Sequence, residues 1–236
     1  MSNPKGIRTV VVTGASGFIG SHIVNASLQR GLAVRACVRD AAAPKNMFLE
    51  ELAAASPGTV ELYSADLTTE GSFDAACAGA QGVIHAAAQV DPTRVVDPWV
   101  DMVEPSTKGV ANILGSVDRS PSVVAFVQTS SIAAVGFRAE RAVTEADWST
   151  TPIEESPYVV AKRLGEKAVW AATKGKPYTV AAVNPSMVWG PCLAKQHCKA
   201  SPYVFRQSLY GNSQASRPAR RWPTSLFEQC TATRRC

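Results

Sequence analysis

Apolar residues gather in six short runs, Thr9–Thr13, Ala33–Val38, Val60–Tyr63, Gly82–His85, Val123–Thr129 and Tyr178–Asn184. Between them, apolar and polar positions recur at a helical period over 18–29, 45–55, 70–78, 97–118 and 157–174. The runs barely alternate, as expected of strands covered on both faces of a parallel sheet. Strand and helix alternate at the spacing of right-handed βαβ units, which predicts an α/β, doubly wound Rossmann-type sheet with helices on both faces. Pro105 is expected to kink or interrupt the fourth helix.

The first run feeds directly into Thr13-Gly14-Ala15-Ser16-Gly17-Phe18-Ile19-Gly20. A strand, a glycine-rich turn and a helix in that order hold a dinucleotide pyrophosphate. Gly14 allows the tight turn, Gly17 lets backbone N–H groups approach the phosphates, and Gly20 lets the helix pack on the strand. The positive end of the helix, with Ser16, Phe18 and Ile19, faces the anion.

Composition narrows the class. Apolar residues make up 46% of the 236 and charged residues 18%, which suits a large core and excludes a disordered chain. No apolar run reaches the ~20 residues of a membrane-spanning helix. Lys5 and Arg8 precede an apolar stretch as in a leader, but glycines interrupt it, so a soluble cytoplasmic protein with no membrane partner is expected. The net charge is +5, yet residues 213–236 hold five arginines and one glutamate, a net +4, leaving +1 for the rest. A near-neutral body argues against nucleic acid as partner. Residues 213–236 sustain neither period and read as a disordered basic tail or as out-of-frame sequence. Cys37 and Cys77 fall in predicted elements as core thiols. Cys192, His197 and Cys198 lack paired metal-ligand spacing, and no metal is expected.

Tyr158 and Lys162 stand four residues apart on one face of the helix opened by Pro157. An ammonium there favours a phenolate, so Tyr158 can give a proton to a carbonyl oxygen being reduced, or take one in reverse. Thr129-Ser130-Ser131 ends the fifth strand at its carboxyl rim, where ligands bind in open α/β sheets. Asn184–Pro191 follows the sixth strand and would wall the nicotinamide.

Together these motifs resemble the extended short-chain dehydrogenase/reductase family, within the NAD-dependent epimerase/dehydratase superfamily. The likeness covers about residues 8–212 and rests on 13–20, Asp66-Leu67, His85-Ala86-Ala87-Ala88, Asn112, Ser131, and Tyr158 with Lys162. It is most similar to the dihydroflavonol reductase and aldehyde reductase branch, marked by 34–40, 144–148 and 184–191. The cinnamoyl-CoA reductase signature around the tyrosine is absent, which counts against that substrate class. The resemblance implies Tyr158 as acid/base and Lys162 as its partner and ribose ligand. It implies that Ser131 orients the carbonyl, being five residues before Gly136, and that Asn112 supports a proton relay. Asp66 and Leu67 would bracket the adenine, Ala86 and Ala87 line the cofactor, and Pro185 and Val188 lie by the nicotinamide.

Arg39, nineteen residues after Gly20 with Lys45 nearby, suits a ribose 2′-phosphate, so NADP(H) is the expected cofactor. Asp40 is the competing residue, since one position of drift would favour NAD. The expected reaction is reduction of a small aldehyde or ketone to an alcohol. The alternatives are an NAD-dependent sugar-nucleotide epimerase/dehydratase or hydroxysteroid dehydrogenase, and a non-catalytic NADP-binding protein or inactive fragment. The domain reading is 1–190 for cofactor, 191–212 as the start of a substrate lobe, and 213–236 as tail. Candidate pocket segments are 89–99, 133–137 and the chain beyond Gly190. Helices 97–118 and 157–174 are where such proteins pair, giving a candidate homodimer.

Overall fold

The computed structural model describes residues 6–88, 95–136 and 141–198, together with the backbone of 231–235. Its elements run β1 (Thr9–Thr13), α1 (Phe18–Leu28), β2 (Ala33–Val38), α2 (Met47–Ala54), β3 (Thr59–Ser64), α3 (Asp74–Cys77), β4 (Gly82–His85), α4 (Glu104–Asp118), β5 (Ala125–Thr129), α5 (Ile132–Val135), α6 (Pro157–Thr173), β6 (Thr179–Pro185) and β7 (Thr231–Arg235). The strands form one sheet in the order β3-β2-β1-β4-β5-β6-β7. β1 to β6 are parallel and in register, with Thr13 opposite Cys37 on one side and His85 on the other. The order reverses between β1 and β4, and ligands of such sheets enter at the carboxyl ends there.

The apolar runs read as continuous because the sheet is covered on both faces. Val11 joins Val83, Ile113, Phe126 and Val169 under α4 and α6. Val10 and Val12 point the other way, onto Val24, Leu28, Val34 and Leu49 under α1 and α2. Full burial of each such side chain stabilises the fold by about 1.5–3 kcal/mol. A smaller cluster, Met102, Val103, Val160 and Ala161, joins α6 to the segment entering α4.

Several elements depart from the sequence expectation or refine it. The helix expected over 70–78 is one turn, Asp74–Cys77, because Gly71 adopts a positive φ of 72° and residues 66–72 form a hydrogen-bonded loop. The helix expected over 97–118 begins as a π-turn at Trp99–Val103 and becomes α-helical at Glu104, with Pro105 in its first turn. Pro105 thus stands where the helix changes from π to α, the interruption that its missing N–H was expected to impose. Residues 213–236 were expected to join no element. Thr231–Arg235 instead pair antiparallel with β6, covering an otherwise open edge. Residues 199–230 lie outside the described residues. Among those described, no helix is long and apolar enough to cross a membrane.

Candidate active site

Each glycine of the first turn meets backbone. Gly14 has φ +64°, and a Cβ there would sit 2.8 Å from both the N and Cα of Ala87. A Cβ on Gly20 would come within 2.1 Å of the Gly14 carbonyl oxygen. Gly17 donates its N–H to that oxygen at 2.9 Å and opens α1 with no side-chain cap. The first N–H groups of α1 are therefore left by the protein for an anion. The crowding explains why these positions are glycine, and the uncapped helix end beside them fits a diphosphate.

Thr13 fastens this turn to the next strand. Its Oγ1 accepts the N–H of Ala86 and of Ala87, each at 3.1 Å, and lies 2.8 Å from Nδ1 of buried His85. With two N–H groups already accepted, the hydroxyl hydrogen goes to Nδ1. Burial, then the charge of Lys162, pushes His85 down to about 3, so the ring is neutral.

Tyr158 and Lys162 lie in the first turns of α6, which opens with Ser156 accepting the N–H of Val159 and with Pro157. The ammonium stands 5.8 Å from the centre of the Tyr158 ring. Burial pulls Lys162 down to about 8, and the carboxylate of Glu166 opposes the shift. Ser131 is buried at the carboxyl end of β5, where its Oγ accepts the N–H of Ala133 and caps α5. Accepting that bond leaves its hydrogen for an oxygen beyond. Ser130 is spent elsewhere, donating to Glu166 at 2.6 Å.

At the adenosine end, Arg39 is exposed one residue past β2. Asp40 is occupied by its own turn, its carboxylate accepting the N–H of Ala42 and its carbonyl the Asn46 amide. Lys45 lies exposed in the 3₁₀ turn Pro44–Asn46. Asp66 accepts both the N–H and hydroxyl of Thr68, which holds its carboxyl below the usual range. Leu67 packs so tightly on α4 that a Cβ on Gly109 would meet its Cδ2 at 2.7 Å.

Asn112, expected to support a proton relay, has its side-chain amide engaged by the loop after β3. Its Oδ1 accepts the N–H of Gly71 at 2.9 Å, and its Nδ2 donates to the carbonyls of Asp66, Leu67 and Thr69. The amide is consumed in shaping the loop after β3. Pro185 ends β6 and Val188 is half-buried just beyond. Phe137 and residues 89–94 of the candidate pocket lie outside the described residues, while Val96, Trp99, Val100 and Met187 expose large apolar side chains.

The roles of two groups escaped sequence reasoning. Glu166 recurs four residues after Lys162, a spacing that could have flagged it. His197 seats the segment after β6 on the glycine turn. Its Nδ1 accepts the N–H of Ala194, so its Nε2–H donates to the Ser16 carbonyl at 3.0 Å, joined there by Gln196. The rings of Phe18 and Phe48 stand edge-on to it at 6.1 and 5.4 Å. Both imidazole nitrogens are thus engaged in hydrogen bonds rather than offered to a metal.

A family model described as the NAD dependent epimerase/dehydratase family matches residues 10–234. The chain belongs to that family. The match runs past residue 212, where the resemblance read from the residues ends. The chain is 38% identical over 202 residues to a cinnamoyl-CoA reductase of Medicago truncatula, covering 82% of this chain and 61% of the other. It is 39% identical over 192 residues to a dihydroflavonol 4-reductase of Gerbera hybrida, covering 78% and 52%. It therefore spans between half and two thirds of the length of these relatives. The presence of a cinnamoyl-CoA reductase among them weakens the inference drawn from the missing signature. Among solved structures, Gre2 of Candida albicans in complex with NADPH superposes with a TM-score of 0.76 at 28% identity, over 90% of this chain and 69% of that one.

Proposed function

We propose that this chain carries the cofactor half of an NADPH-dependent reductase that converts an aldehyde or ketone to an alcohol. The single observation behind the reading is the Tyr158–Lys162 pair, with a desolvated ammonium 5.8 Å from the phenol ring, on a helix beside the carboxyl end of β5. Its relatives among reductases and a structural neighbour holding NADPH support it. The exposed Arg39 beside a committed Asp40 supports NADP over NAD.

Bound NADPH would supply a hydride to the carbonyl carbon. The residues of this chain handle the rest. Ser131 donates its hydroxyl hydrogen to the carbonyl oxygen and fixes its direction. Tyr158 delivers a proton to that oxygen as negative charge develops, and Lys162 stabilises the phenolate left behind. Gly14, Ser16, Gly17, Phe18, Ile19 and Gly20 cradle the diphosphate, with Ala86 and Ala87 behind it. Arg39 and Lys45 take the 2′-phosphate, Asp66 and Leu67 the adenine, and Pro185 and Val188 the nicotinamide side. Residues 1–190 form the cofactor domain, 191–212 begin the substrate-covering lobe, and a cytoplasmic homodimer through α4 and α6 belongs to the same reading.

The test compares NADPH consumption over a panel of small aldehydes by this chain and by a version extended to the length of its relatives. Turnover by the longer version supports the reading. Tight NADPH binding without turnover in either would favour a non-catalytic nucleotide binder, and turnover with NAD on a sugar nucleotide would favour an epimerase or dehydratase.

A further inference from the structure

Tyr158, Lys162 and Glu166 recur at four-residue intervals along α6, which keeps them on one stripe of the helix. The proposed carbonyl reduction uses only the first two. Glu166 has 0% exposure, and a carboxylate so placed is costly unless hydrogen-bonded. Its partners come from two strands as well as its own helix. Ser130 donates its hydroxyl to Oε2 at 2.6 Å, Asn184 donates Nδ2 to the same oxygen at 2.7 Å, and Trp170 donates Nε1 to Oε1 at 3.2 Å. Asn184 Nδ2 also donates to the carbonyl of Ser131 at 3.0 Å. The carboxylate therefore ties α6 to the end of β5 and the end of β6, on both sides of Ser131.

We propose that Glu166 is a positioning residue, a buried carboxylate that fixes the Ser131 turn against α6 and sets the electrostatic balance at Lys162. This rests on the reductase reading for the roles of Ser131, Tyr158 and Lys162. Truncating Glu166 would leave the Ser130 hydroxyl and the Asn184 amide without their shared acceptor, and the turn carrying Ser131 would lose its anchor. It would also remove the negative charge that opposes the desolvation of Lys162.

Among the described residues, Lys167 on the same helix stands over the Trp148 ring, 5.0 Å from its centre. Tyr158 shares the helix, and His85 on β4, kept neutral by burial, feels the Lys162 charge. α5 carries no titratable side chain. On α4, Glu104 pairs with Lys108 in solvent and Asp118 with Lys176. Asp101 of the π-turn accepts the N–H groups of Val96 and Asp97. Arg163 donates to the carbonyls of Ser149 and Thr151.

The experiment follows the Cε resonance of Lys162 by NMR against pH, in the whole chain carrying isotope-labelled lysine. The signal is assigned by its loss in Lys162→Arg. A midpoint near 8 is expected in the parent. In Glu166→Gln it should fall by about one unit, and in Glu166→Asp, which keeps the charge, it should stay closer to the parent. An unmoved midpoint in folded Glu166→Gln would overturn the proposal. Should Glu166→Gln not fold, Ser130→Ala removes one tie and keeps the charge. In the extended version it is expected to slow kcat about tenfold, the cost of one charge-assisted hydrogen bond, with KM and NADPH affinity unchanged. Unchanged kcat there would equally overturn it. The NMR readout needs no turnover, so failure of the reductase reading would show separately.

Discussion

Thr13 and His85 face each other across β1 and β4, and the hydroxyl of one lies 2.8 Å from Nδ1 of the other. This pair stands where the sheet order reverses, directly beneath the glycine turn. The threonine ties β1 to the end of β4 at one oxygen, since the same atom accepts the N–H groups of Ala86 and Ala87.

The imidazole makes stability depend on pH with a definite sign. Burial takes His85 from an ordinary value of 6.5 down to about 3. Between those values the unfolded chain binds a proton that the folded chain refuses, so stability falls as pH drops from about 6.5 toward 3. His197, shifted downward by burial as well, acts in the same direction. Thermal unfolding of the parent should therefore show a Tm that declines below about pH 6.5. In His85→Gln the decline should be shallower.

Gly20 tests the cradle. A methyl group there meets a backbone oxygen that cannot rotate away, so the turn or the helix must shift. Gly20→Ala is expected to destabilise the fold by about 1–3 kcal/mol, the range for overpacking. It should also remove measurable NADPH binding, as read by fluorescence titration and by chemical denaturation. Gly31→Ala is the useful contrast: no atom crowds a Cβ there, though its φ is +74°, so stability should fall while binding survives.

Asn112 should prove to be a loop-shaping residue. Asn112→Ala strands the Gly71 N–H and the Leu67 carbonyl, while the Asp66 and Thr69 carbonyls keep the Ser72 hydroxyl and the Ser72 N–H. Each buried polar group left unpaired costs about 1–3 kcal/mol. Lower stability and weaker dinucleotide affinity are expected, while the pH dependence of turnover stays put. A changed pH profile would support the proton-relay role.

Much of this arrangement was legible in the chain, for identifiable reasons. Val10, Val11 and Val12 read as a buried strand because alternate side chains enter two different cores, and Tyr158 with Lys162 needed only helical spacing. What escaped depends on contacts between distant residues. Asn112 reads as a motif residue until the loop at 66–71 folds onto its amide. Glu166 looks like a solvated charge until β5 and β6 bring Ser130 and Asn184 to it. His197 reads as a stray metal ligand until the chain returns across Ser16, 181 residues away in sequence. α5 is a single turn and carries too little period to be read.

Arg39 tests the choice of nucleotide. Losing a charge-assisted contact to a 2′-phosphate costs about 1.5–3 kcal/mol, or roughly ten- to a hundredfold in Kd. Arg39→Ala should weaken NADPH by that amount and leave NADH nearly unchanged. Equal loss for both nucleotides would mean that Arg39 does not read the phosphate.

The most direct test of the central claim is Tyr158→Phe in the version extended to the length of its relatives, assayed for NADPH consumption with a responsive aldehyde. The expected result is turnover reduced by roughly 10²–10⁴-fold, the contribution of a positioned general acid, with NADPH affinity unchanged. Turnover that survives the loss of the phenol would contradict the assignment of Tyr158 as proton donor.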